Sequence, residues 1–147
     1  ACRCGRRGCW ETRSGLQALT SIYPPGDAVR DETTSLDERI ELLRQRFDAG
    51  DAELTRRLKL SQRALARALA ILTDVLNPEV IVLSGYLAAF ADVFISPTAS
   101  ALQDRQRAAV RLETSHLGQW ASSYGAALVA LESVLDNPTL VDPRPAS

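Results

Sequence analysis

Val80-Ile81-Val82-Leu83 and the alternating Val110-Arg111-Leu112-Glu113 are the stretches of this chain that read as β-strand, and one or two strands do not make a stable sheet alone. The first is apolar throughout and mostly β-branched, the pattern of a strand buried on both faces of an α/β sheet. The second alternates, as a more exposed strand does. Such a chain has to borrow strands, either from sequence outside these 147 residues or from another chain. The start at Ala1 and the lack of any methionine fit the expectation of a fragment.

The remaining periodicity is helical. Leu16, Leu19, Ile22 and Tyr23 predict a short helix from about Glu11 to Ile22, ended by Pro24-Pro25-Gly26-Asp27. Residues up to Thr34 read as a polar surface loop. Ser35 and Glu38 have capping-box spacing, and Leu36, Ile40, Leu43 and Phe47 carry an apolar stripe to Gly50. Asp51 is placed to cap the longest helix, which reaches Leu76 with Leu54, Leu58, Leu65, Leu69, Leu72 and Leu76 on one face. Asn77-Pro78 stops it. After the first strand, Ser84-Gly85 makes a turn, Leu87 to Phe94 reads as a helix, and Pro97 opens another to about Asp104. A last helix, about Ser122 to Leu135, presents Tyr124, Leu128, Leu131 and Leu135 on one side. The Pro-rich tail after Val141 is expected to fray.

Composition excludes some functions. A content of 46% hydrophobic and 24% charged residues is that of a soluble globular domain. The net charge of −1 gives no global pull toward nucleic acid or anionic membrane. Arg56, Lys59, Arg63 and Arg67 do form a basic stripe opposite the leucine face of the long helix, but no aromatic residue is interleaved with it, so it reads as a solvated face. No apolar run approaches the roughly 20 residues a membrane helix needs, and the first residues are unlike a signal peptide. The expected location is cytoplasmic.

All three cysteines fall in the first nine residues, as Cys2-Arg3-Cys4-Gly5-Arg6-Arg7-Gly8-Cys9. In a reducing compartment an odd cluster of thiols points to metal ligation before disulfides. Thiolates suit zinc, and Gly5 and Gly8 let the loop fold back so that three sulfurs face one ion. A tetrahedral site would still need a fourth ligand. Thiolate-rich sites are closed, so a structural role is expected of the metal.

Cys2-x-Cys4-Gly5-x-x-Gly8-Cys9-x-Glu11-Thr12 resembles the signature of the ROK family of repressors, open reading frames and sugar kinases. Leu76-Asn77-Pro78-Glu79-Val80-Ile81-Val82-Leu83-Ser84-Gly85-Tyr86-Leu87 is similar to that family's later strand-and-turn block. Tyr124-Gly125-Ala126-Ala127-Leu128 and Asn137-Pro138-Thr139-Leu140-Val141 are similar to its C-terminal helix and tail. The resemblance implies an actin-like fold of two α/β lobes around a cleft. Residues 1–147 would be most of the C-terminal lobe, with the zinc loop at 1–12, the strand-turn block at 77–87 and a tail at 142–147. The N-terminal lobe and any DNA-binding domain would be absent.

The same resemblance supplies roles. Cys2, Cys4 and Cys9 would hold zinc, with a fourth ligand from an upstream Gly-His motif; His116, the sole histidine, reads as a turn residue instead. Glu11 would accept hydrogen bonds from sugar hydroxyls, a task that suits an acceptor-only carboxylate. Its plainer alternative is a first-turn carboxylate favoured by the helix dipole. Ser84 and Gly85 sit where the family's kinases carry two glycines, at the end of a strand where α/β folds place ligands. They would approach ATP if this is a kinase, and otherwise make a plain turn. Two functions follow from the resemblance. One is the sugar- or sugar-phosphate-sensing part of a transcriptional regulator, homodimeric, reaching DNA only through an absent N-terminal domain. The other is part of an ATP-dependent sugar kinase, inert as this fragment. A domain that has lost both activities is the third possibility.

Overall fold

The computed structural model describes residues 2–103 and 110–137. Helix α4 (Ala52–Leu76) is its axis. Asp51 caps it as expected, its carboxylate accepting from the Leu54 N–H at 2.9 Å, and Asn77 ends it in the left-handed region at φ 44°. Leu54, Leu58, Leu65 and Leu69 are buried along one face. The predicted stripe does not stay covered, however: Leu72 and Leu76 at the far end are exposed.

Three groups of residues build the core on that face. Leu19 comes from α2 (Leu16–Thr20), Leu43 from α3 (Leu36–Asp48), and Phe90, Phe94 and Leu102 from α6 (Ala91–Gln103) and the residue before it. Ser35 caps α3, accepting from the Glu38 N–H at 3.2 Å. The single helix expected from Glu11 to Ile22 is instead two, α1 (Glu11–Ser14) and α2, broken at Gly15, whose extended backbone cannot continue a helix. The segment read as a polar surface loop is anchored. Val29 is fully buried in the core, and Arg46 forks onto Asp27 at 2.9 and 3.0 Å while its guanidinium stacks on the Tyr23 ring.

Strands β1 (Val80–Leu83) and β2 (Arg111–Thr114) pair in parallel, Val80 opposite Arg111 and Leu83 opposite Thr114. Ile81, Leu83 and Leu112 face the helices. Val82 is 56% exposed, so β1 is buried on one face here and not on two. The period-2 geometry explains this: helices cover one side of the pair, and no described element covers the other. Between the strands, a short α5 (Tyr86–Ala89) precedes α6, which runs through Pro97 rather than starting there. Asp104, the expected end of that helix, lies outside the described residues. A 3-10 turn (Gly118–Trp120) then leads into α7 (Ala121–Asp136), none of whose residues is buried. Of the expected tail, only Asn137 is among the described residues.

Candidate functional site

The cysteine loop folds back as its glycines suggest. Gly5 and Gly8 take φ of 80° and 79°, Cys2 N–H donates to the Arg6 carbonyl, and Gly5 N–H donates to that of Cys2. The three Sγ atoms lie within 4.8 Å of one another, with Cys4 and Cys9 at 3.5 Å. Sulfurs on a tetrahedral zinc, with bonds of about 2.3 Å, stand about 3.8 Å apart, so the thiols fit such an ion. Hydrogen bonds from the Arg6 backbone and the neighbouring thiols hold Cys4 below the usual thiol range, while those same neighbours push Cys9 up to about 11. His116 is not part of this group.

The loop runs straight into α1. Thr12 donates to the Cys9 carbonyl through both its N–H and its hydroxyl, which ties the last cysteine to the first helical turn. Glu11 is exposed, and its carboxylate curls back over Gly15. A Cβ on Gly15 would sit 1.9 Å from Glu11 Oε1 and 2.6 Å from the Glu11 carbonyl oxygen, so a side chain there would force both the carboxylate and the backbone to shift. Gly15, buried itself, makes the room this carboxylate occupies. The expectation had passed over it, although a glycine interrupting a helical pattern is a known sign of close approach.

The turn after β1 meets the turn after β2. Gly85 N–H donates to the Gly118 carbonyl at 3.0 Å, and Ser115 N–H to that of Leu83 at 2.7 Å. Gly85 has φ 63° and ψ −142°, a backbone conformation that residues with a Cβ rarely adopt. Ser84 is exposed beside it. The next residue, Tyr86, reaches across the chain and donates its phenol to the Ser14 carbonyl at the end of α1. Burial pushes that phenol up to about 12; the nearby Ser61 hydroxyl offsets this slightly and the Glu11 charge adds to it. Glu11 and the Ser84-Gly85 turn, far apart in sequence, thus belong to one neighbourhood.

A separate groove of about 250 Å³ lies between α4 and α6, lined by Gln62, Arg63, Ala66, Arg67, Pro97 and Ala101. It contains none of the site residues above. At the start of the basic stripe, Arg56 is neutralised by Glu53.

The sequence profile of the ROK family matches residues 1–133. The chain belongs to the ROK family. The structure also matches the crystal structure of a ROK hexokinase from Thermus thermophilus, with a TM-score of 0.62 and 27% identity over 93% of this chain. This ROK chain therefore has the actin-like fold of that hexokinase, helix-rich with two parallel strands among the described residues. It spans 45% of the hexokinase's length. No curated protein gives a significant match to the sequence. No helix among the described residues is long and apolar enough to cross a membrane.

Proposed function

We propose that this ROK chain is the sugar-sensing C-terminal lobe of a transcriptional regulator, in which Glu11 accepts hydrogen bonds from hydroxyls of a sugar or sugar-phosphate effector. The observation that carries the reading is the tie between three convergent thiols and the Glu11 turn. Zinc on Cys2, Cys4 and Cys9 would stiffen the loop from which Glu11 is presented, and that is the chemistry it supplies. The buried Gly15 supports a carboxylate that is positioned rather than merely solvated. Sugar would then bias the arrangement of two lobes in a homodimer, and so DNA affinity in a domain N-terminal to this lobe. Ser84 supports a regulator over a kinase, because it adds a side chain at the turn where the family's kinases carry a glycine. The second reading, part of an ATP-dependent sugar kinase, is favoured by the likeness to a hexokinase.

Glu11→Gln in the full-length gene product tests the sugar contact. The substitution keeps the shape and removes a charge-assisted acceptor, so calorimetric affinity for the effector should fall about ten- to a hundredfold while zinc content and melting temperature hold. Equal affinities would return Glu11 to a helix-dipole role. ATP consumption on sugar addition would turn the assignment to the kinase, and sugar-dependent release of DNA would sustain the regulator.

A further inference from the structure

Helix α1 is a single turn, and a single turn has no stability of its own: isolated helices shorter than about 12 residues are marginal in water. Three of its residues, Glu11, Thr12 and Arg13, are exposed, and Ser14 is its one buried residue. The cysteine loop fastens its N-terminal end. At the other end Ala18 N–H is taken by the Gly15 carbonyl, which leaves the Ser14 carbonyl without a helical donor. Tyr86 supplies that donor from the turn after β1, with its ring set edge-on against Phe94, centroids 6.1 Å apart. Glu11 acts electrostatically on the same phenol. The fully buried Ser61 hydroxyl lies close to the phenol as well.

We propose that Tyr86 is a positioning residue, which ties the Glu11 turn to the Ser84-Gly85 turn by closing the C-terminal end of α1. This rests on the reading of Glu11 as the sugar contact. Tyr86 then sets how steadily the carboxylate is presented and makes the turn after β1 sensitive to what Glu11 binds. The two ends of the clasp are 72 positions apart in sequence, so one hydrogen bond couples a loop at the start of the chain to a turn past its middle.

Hydrogen exchange on the full-length gene product, wild type against Tyr86→Phe, reads the clasp directly. The phenylalanine keeps the ring and its contact with Phe94 and loses only the donor. The amides of Thr12, Arg13, Ser14 and Gly15, which close the turn, should exchange about tenfold faster while amides inside α4 and α6 keep their rates. Affinity for D-glucose, taken as the probe sugar, should fall by about tenfold alongside. Unchanged exchange at the four amides overturns the proposal. So does acceleration spread evenly through α4 and α6, which would make Tyr86 a packing residue. Faster local exchange with undiminished affinity, in a wild type that binds glucose, overturns it too. A wild type that binds no glucose counts against the sugar reading of Glu11, and the exchange result then decides the clasp alone.

Discussion

Asp27 and Arg46 meet through two nearly parallel hydrogen bonds in a part-buried setting, and this pair carries a consequence for pH. The Arg46 guanidinium, with help from the Val29 N–H, holds Asp27 below its ordinary 3.8. Asp51 is lowered by the Leu54 N–H and the Tyr23 hydroxyl, and Asp92 by Arg44. A carboxylate with a depressed folded pKa contributes stability that is complete above its unfolded value and lost as pH falls through the folded one. The melting temperature should therefore be level above about pH 5 and decline below about pH 4, with Asp27→Asn lowering the plateau and flattening the acid limb. An acid limb unchanged in Asp27→Asn would remove this pair from the account. At this scale the sequence was legible where chemistry is local. Cys2, Cys4 and Cys9 announce themselves by their clustering, and the thiols do converge, whereas Glu11 was singled out through the family resemblance alone. Tyr86 gave no local sign, because its partner Ser14 is brought to it only by the fold. Asp27 looked like a turn residue for the same reason.

Among the elements, α4 was the most readable and is also the most consequential for stability. Its cap, Asp51, serves two groups at once, the Leu54 N–H at 2.9 Å and the Tyr23 hydroxyl at 2.7 Å. Asp51→Ala should destabilise the fold by about 1–2 kcal/mol, since it strips the helix cap and leaves a part-buried phenol without its acceptor. Asp51→Asn should cost distinctly less, because the amide oxygen can still accept. Thermal unfolding followed by circular dichroism checks both; equal losses in the two variants would mean that charge, and not capping, is what Asp51 supplies. The less readable elements fail for identifiable reasons. Pro97 was expected to open a helix because that position tolerates its missing N–H, yet α6 continues through it with Phe94, Thr98 and Leu102 all buried. Burial on both sides of the proline outweighs the lost backbone bond. The helix from Glu11 to Ile22 breaks at Gly15, whose backbone is extended and whose missing Cβ leaves room for the Glu11 carboxylate, neither of which periodicity registers.

For the whole molecule, the deciding feature is apolar surface that these residues leave uncovered. Leu128, Val129 and Leu135 on α7 are 64%, 68% and 69% exposed, and Val75 at the end of α4 is 74% exposed. The open face of Val82 on β1 adds to them. Periodicity recognised the stripes but could not tell that nothing within the described residues would cover them, because an amphipathic pattern records that a face wants burial and not what buries it. The span of 45% of the hexokinase's length is consistent with the cover lying outside these residues. Produced by itself, the 147-residue chain should therefore self-associate. Sedimentation should show a weight-average mass that rises with concentration above the 16.0 kDa of one chain. Replacing Leu128 and Leu131 together with glutamate puts two charges on the exposed side of α7 and should return the chain toward a monomer without unfolding α4, since neither residue touches the core. A compact monomer at high concentration in the unaltered chain would show that α7 finds its cover within the 147 residues after all.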